Sequence, residues 1–374
     1  MVRHPDTVVL FIVLSLVGLG VTMVYSASCI LALENFGNQY YYLQRQALFS
    51  LAGVFLMFVV MRIPYRFYYR LSYPILGIGL ALLTLLHIPG FGRSIGGATR
   101  WLQAGAVVFQ PSEVAKLAIV IFMSYSLSKK QEKIKTFSIG FLPNMLISLV
   151  ALFLIMKEPD FGTSIMLVVI VLLMMFIAGT KVRYLFLTAL GSFPIFYLLI
   201  ARAEYRLARI LVFLNPWIDP QRAGFQITQS FIAFGSGGLW GQGLGQGKQK
   251  LFFLPAPHTD FIYAVIGEEL GFVGTALVLA LFLILVWRGV RIAYRMTDPF
   301  GCLLAMGITA MLGIQALVNM GVTLGLLPTK GLPMPFVSYG GTSLLVSLIA
   351  SGILLNISSS AVSERPTGAL NTAA

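Results

Sequence analysis

Apolar runs recur along the whole of this chain, most of them close to the length that crosses the hydrocarbon core of a bilayer as a helix. Read in order, they place spans at 8–27, 43–61, 71–88, 112–127, 141–156, 162–179, 184–201, 261–287, 300–324 and 341–358. Glycine and proline inside several of them do not weaken the reading, because neighbouring helices re-satisfy freed backbone groups in a membrane. The first run is too long for a signal-peptide core and reads as a span. Charged residues make up 10% of the chain and hydrophobic ones 58%, against about 25% charged in a soluble domain. Too little polar surface remains to face water. The expected architecture is all-α, a polytopic membrane protein with about ten transmembrane helices and one large extracytoplasmic loop.

The net charge of +13 does not point to nucleic acid. The basic residues form no patch or tail but sit in the short breaks between apolar runs. With the N-terminus in the cytoplasm, the inner side collects Arg3, Arg62, Arg66, Arg70, Lys129, Lys130, Lys133, Lys135, Lys181, Arg183, Arg288, Arg291, Arg295 and Arg365. The short outer segments hold Arg45, Arg93, Arg100, Lys157 and Lys330. This roughly threefold excess follows the positive-inside rule and puts both termini in the cytoplasm. Cys29 and Cys302 fall near opposite membrane faces, so no disulfide is expected. His4, His87 and His258 are far apart, so no His/Cys metal cage is expected.

One connection is out of scale. The outer loop 202–260 far exceeds an ordinary connection, and loops of that length are usually functional. No internal repeat or soluble domain interrupts the chain, which reads as a single membrane domain over 1–360. The tail 361–374 is small and polar, and is expected to be disordered in the cytoplasm.

Carboxylates and cations at membrane depth are costly and face a partner or a cavity. Glu113 and Lys116 lie three residues apart on one helical face. They are either a structural ion pair or the lining of a polar cavity open to the outside. Asp260, in His258-Thr-Asp260, precedes the span starting at Phe261. It is either a helix N-cap, a role aspartate fills well, or a partly desolvated carboxylate able to take a proton. The glycine-dense stretch 235–247 either turns tightly or cradles a phosphate through its N–H groups. It is no nucleotide fingerprint, since no strand–helix unit surrounds it. Arg100-Trp101 and Trp217 are either interfacial anchors or, for the arginine, part of an anion site. The proline-rich segment from Leu327 to Gly341 carries Lys330 and cannot be a regular helix. It suits a re-entrant stretch lining a cavity. A cationic outer cavity with a carboxylate at a helix start fits an amphipathic substrate with a phosphate headgroup and a lipid tail. Physics alone does not separate an enzyme from a lipid transporter.

These residues, in this order, resemble the SEDS family (shape, elongation, division and sporulation), which polymerises bacterial cell-wall glycan. The motifs are Gly97-Ala-Thr-Arg-Trp101, Gln110-Pro-Ser-Glu-Val-Ala-Lys116, Glu158-Pro-Asp-Phe-Gly-Thr163, Asn215-Pro-Trp-Ile-Asp-Pro220 and Gly224-Phe-Gln-Ile-Thr-Gln-Ser230. They continue with His258-Thr-Asp-Phe261, Ile266-Gly-Glu-Glu-Leu270 and Pro335-Phe-Val-Ser-Tyr-Gly-Gly341, and cover nearly the whole chain. Pro216-Trp-Ile-Asp-Pro220, Leu239-Trp-Gly-Gln-Gly-Leu-Gly245 and Leu327-Pro-Thr-Lys-Gly-Leu332 resemble the division branch more than the elongation branch.

The resemblance implies a peptidoglycan glycosyltransferase at the outer face of the cytoplasmic membrane, acting on lipid II during cell division. A lipid II flippase or a non-catalytic division scaffold are the alternatives. The implied partners are a class B penicillin-binding transpeptidase, other division-complex proteins and membrane lipid, at the septum. The family's catalytic aspartate falls on Asp260. Arg100, Lys330, Glu113, Lys116, Trp217, Asp219, His258 and Ser338 are implied at the substrate site. No cofactor is implied, and help from a divalent cation stays open. Where the family often carries two glutamates, this chain has Phe252 and Ala256, leaving Asp260 as the sole acid between Gly224 and the membrane.

Overall fold

The computed structural model describes residues 4–95, 98–104, 107–201, 204–220, 224–251 and 254–361. The chain begins with α1 (Thr7–Phe36), α2 (Tyr41–Arg62), the short α3 (Arg66–Arg70) and α4 (Ser72–Leu85). A small antiparallel sheet follows, β1 (Gly92–Ile95), β2 (Ala98–Ala104) and β3 (Val107–Phe109), in the order β1-β2-β3. Then come α5 (Pro111–Lys129), α6 (Leu142–Lys157), α7 (Phe161–Ile177), α8 (Val182–Ala201), α9 (Glu204–Leu214) and α10 (Phe225–Gly237). The chain closes with α11 (Ile262–Tyr294), α12 (Pro299–Thr323) and α13 (Gly341–Ala361).

The ten expected spans fall on α1, α2, α4 to α8 and α11 to α13. Among the described residues, α1, α2, α11, α12, α13 and α6 with its preceding turn are long and apolar enough to cross a membrane, and α4 and α7 are shorter apolar helices. The protein is a multi-pass membrane protein. Between apolar helices in lipid, packing rather than hydrophobic exclusion drives association, so small residues mark the crossings. Gly79 of α4 lies on Ala115 and Ala118 of α5, Gly307 of α12 on Val120 of α5, and Gly352 of α13 on the Met57 carbonyl of α2. Buried apolar side chains of α1, α5, α11, α12 and α13 form one continuous core.

Two stretches are more ordered than the sequence reading held. The 88–111 connection holds a sheet in which Arg93 pairs with Trp101 and Leu102 with Phe109; its strands are too short to announce themselves in the sequence. The large loop holds two helices. α10 buries Ile227, Ser230, Ala233 and Gly237 and packs flush on α11, where a Cβ on Gly237 would strike the Gly267 carbonyl.

α11 breaks at Gly271, whose φ of 68° and ψ of −163° only glycine adopts readily. The glycine stretch fills the break: Phe272 and Val273 donate their N–H groups to the carbonyls of Gly238 and Leu239 at 2.8 and 3.2 Å, while Gln242 and Gly243 donate to those of Glu268 and Glu269 at 2.9 and 3.0 Å. Gly237→Val should push α10 off α11 and cost about 1–3 kcal/mol, as overpacking does. The check is a lower thermal midpoint in detergent, with Gly191→Ala, where a Cβ meets open space, unchanged.

Candidate functional site

Asp260 ends the large loop where α11 begins. It is not the helix cap: that position is Phe261, and no side chain caps the helix. The Asp260 carboxylate is half-buried and lies over Gly331, where a Cβ would sit 2.9 Å from Oδ2. Burial pushes the Asp260 carboxyl up to about 6, against the pull of Arg209 and Arg100 and with a smaller upward push from Asp160. A carboxylate titrating near neutrality at a helix end has the properties of a general base.

The non-helical segment between α12 and α13 forms the opposite wall. Its buried carbonyls need donors, because lipid supplies none. α12 provides two, four residues apart on one face. Asn319 Nδ2 donates to the Leu332 carbonyl at 2.7 Å and to the Asp260 carbonyl at 2.9 Å. Gln315 Nε2 donates to the Pro333 carbonyl at 2.9 Å. Ser338 Oγ accepts from the Met334 N–H at 2.8 Å and donates to the Thr259 carbonyl at 2.6 Å, and the Tyr339 N–H donates to the His258 carbonyl at 2.8 Å. The His258 ring packs 4.5 Å from the Tyr42 ring and 5.5 Å from that of Tyr339. Burial lowers it to about 4, so it is neutral at physiological pH.

Behind this wall Lys116 Nζ donates to Glu113 Oε1 and to Gln315 Oε1, both at 2.8 Å. The Lys116 and Glu113 side chains are 1% and 3% exposed. Of the two readings open in the sequence, the structural ion pair is the one observed. The pair meets the site through Gln315, not as cavity lining.

Two cations, Arg209 and Arg100, act on the carboxylate, and a third, Lys330, stands beside Asp160. Lys330 precedes Gly331, and its ammonium stands 5.7 Å from the Phe161 ring centroid. Burial lowers it to about 8, with Asp160 opposing. Arg209, on α9, reaches the Thr329 carbonyl at 3.4 Å. Arg100, on β2, donates to the carbonyls of Glu158 and Pro159 at 3.1 and 2.6 Å. Asp160 caps α7 through the Thr163 N–H and hydroxyl at 3.1 and 2.7 Å. Glu158 is buried, and burial with Asp160 raises it to about 8 against Arg100, so it is an uncharged acid at neutral pH.

Arg100 therefore acts on Asp260, Lys330 adjoins it in the backbone through Gly331, and His258 and Ser338 pack against the same backbone. Trp217 does not join them: the residue is 63% exposed and its backbone N–H donates to Asn215 Oδ1 at 3.1 Å. The Asp219 carbonyl accepts from the Gly224 N–H at 2.9 Å, at the foot of α10. The glycine stretch turns tightly, and N–H groups in it and just after it are taken by carboxylates. The N–H groups of Lys248 and Gln249 bond to Glu268 Oε1 at 2.6 and 3.0 Å, and that of Gly245 to Glu269 Oε2 at 3.1 Å. Lys250 neutralises Glu269. Among the described residues no group of three or more His, Cys, Asp or Glu could hold a metal ion. Phe252 lies outside the described residues. Asp160, Arg209, Gln315 and Asn319 escaped the sequence reading, although two amides four apart in so apolar a helix are a signal in themselves.

Removing Lys116 leaves a buried carboxyl uncompensated. Lys116→Met should therefore cost about 3–5 kcal/mol, and adding Glu113→Gln should recover much of it. Thermal unfolding of both variants checks this.

The Cell cycle protein family model for FtsW, RodA and SpoVE matches residues 7–363. A probable peptidoglycan glycosyltransferase FtsW of Geobacter metallireducens is 51% identical over 357 residues, covering 96% of this chain and 95% of the relative. Stage V sporulation protein E of Bacillus subtilis is 44% identical over 354 residues, covering 95% and 97%. Among solved structures, one described as "Structural coordination of polymerization and crosslinking by a peptidoglycan synthase complex" matches with a TM-score of 0.79 at 28% identity, covering 96% of this chain and 99% of that one. The rod shape determining protein RodA of Thermus thermophilus matches at 0.70 and 28%, covering 95% and 96%. The chain belongs to the FtsW/RodA/SpoVE family.

Proposed function

We propose that this protein is a peptidoglycan glycosyltransferase of the division type, polymerising lipid II on the outer face of the cytoplasmic membrane. The observation that carries the reading is Asp260: a half-buried carboxylate at the start of α11 that does not cap the helix, raised toward neutrality and acted on by Arg209 and Arg100. The names of the similar proteins support the same activity.

The reaction joins two lipid-linked sugars. Asp260 takes the proton from the acceptor's sugar 4-hydroxyl as its oxygen attacks the donor's anomeric carbon with inversion. The bond from that carbon to the diphosphate oxygen breaks, and polyprenyl diphosphate leaves with the electron pair. Lys330 and Arg100 stand where positive charge offsets the growing charge on the diphosphate. Lys116, paired with Glu113, holds Gln315 of α12 and through it the Pro333 carbonyl of the segment that carries Lys330. His258 and Ser338 fix the same backbone from the α13 side. Trp217 and Asp219 shape the large loop that the acceptor meets.

A class B transpeptidase at the septum is the fitting partner, since the product needs crosslinking where the wall is built. The structural neighbour described as coordinating polymerization and crosslinking supports that pairing. Both termini face the cytoplasm in this reading, on the distribution of basic residues.

The test is polymerisation of labelled lipid II by the purified protein with a crosslinking-dead transpeptidase, moenomycin present to silence unrelated polymerases. Wild type should give glycan ladders. Asp260→Ala and Asp260→Asn should give none while binding lipid II within about twofold of wild type, because removing a base lowers turnover rather than affinity. Ladders from either variant would return Asp260 to a structural role.

A further inference from the structure

α6, α7 and α8 enclose a trough of about 460 Å³ within the membrane-spanning part of the fold. Leu149, Leu152 and Phe153 of α6 and Val168 and Leu172 of α7 form its walls. The hydroxyls that border it are turned away: Ser148 donates to the Asn144 carbonyl, Thr188 to that of Tyr184 and Ser192 to that of Ala189, each at 2.8 Å. The surface left for an occupant is hydrocarbon.

One end differs from the rest. Lys157 closes the trough at the last residue of α6, its ammonium 4.9 Å from the Phe153 ring centroid. The next residue, Glu158, offers the carbonyl that holds Arg100 Nε. Three residues beyond Lys157, Asp160 caps α7 and bears on both Lys330 and Asp260. The trough thus ends at Lys157, its one charged lining residue, immediately before the Glu158 and Pro159 carbonyls that hold Arg100. An occupant with a chain in the trough places its head against Lys157 and Arg100, and those cations call for an anionic head.

The geometry points to this trough as the seat of the polyprenyl chain of the lipid-linked sugar, with Lys157 beside its diphosphate. The assignment rests on the polymerase reading above and adds where the lipid part of the substrate lies. In a bilayer the chain gains nothing from leaving water, since the lipid around it is equally apolar. Selection therefore comes from the fit of the chain between three helices and from the charged contact at the end. A phospholipid acyl chain would share the hydrocarbon but not the diphosphate contact.

The experiment uses full-length protein in phosphatidylglycerol nanodiscs and a polyprenyl diphosphate carrying a benzophenone in its chain. Labelled residues are mapped by mass spectrometry. Labelling should fall on α6, α7 and α8 around the trough and be competed by unlabelled polyprenyl diphosphate, not by equal phospholipid. Leu149→Trp with Val168→Trp should fill the trough and remove most of the labelling. Lys157→Ala should raise the KM for lipid II by roughly tenfold, the loss of one charge-assisted contact, with kcat little changed.

Labelling elsewhere, labelling competed equally by phospholipid, or undiminished labelling of the filled trough would overturn the assignment. Labelling needs no turnover, and wild-type ladders need no probe. Ladders without trough labelling sink this proposal alone, whereas labelling without ladders sinks the polymerase reading.

Discussion

Asn319 makes the contact on which the site depends. One side-chain amide, buried in α12, donates to the carbonyls of Asp260 and of Leu332. The first residue ends the large loop, and the second lies two residues beyond Lys330. The backbones that carry Asp260 and Lys330 are therefore tied together by a single amide, although they lie far apart in sequence. An irregular backbone can lie at membrane depth only when protein satisfies it. The ladder of Gln315 and Asn319 does this and is itself anchored through Lys116 and Glu113.

A second anchor works from the other side. The glycine stretch lies across the break in α11 and returns its N–H groups to Glu268 and Glu269. Lys250 joins Glu269 and Ser26 of α1, at 2.6 and 3.0 Å. The chain entering Asp260 is thus fastened before the site by carboxylates and after it by amides. Buried charge here is compensated locally, as membrane burial demands, and the freedom of a long outer loop is removed where it reaches Asp260.

The ten helices were legible because apolar runs of membrane length have few other outcomes. The β1–β3 sheet was not, since its strands are short and pass through a sequence with no strong alternation. α9 and α10 were concealed because an outer loop was read by its length and charge rather than its pattern. At the site, Asp260, Lys330 and Arg100 were readable as charges near the outer surface and through family resemblance. Their mutual placement was not, because it depends on uncharged amides. Glu113 and Lys116 show the same limit: their i, i+3 spacing gave the pair, but only packing decides whether a pair lines a cavity or lies behind one. From its position Asp260 read more readily as a cap, until the family resemblance pointed to a base and the helix was seen to start two residues later.

The pH dependence of lipid II polymerisation tests most directly whether a carboxylate and an ammonium of this site do the chemistry. Asp260 must be ionised to act, so the rate should rise as pH passes about 6. Lys330 must be charged to act, so the rate should fall as pH passes about 8. Lys330→Arg, with a guanidinium that stays protonated, should remove the upper limb and leave the lower one. A rate indifferent to pH across both limbs, or an upper limb untouched by that substitution, would contradict the account.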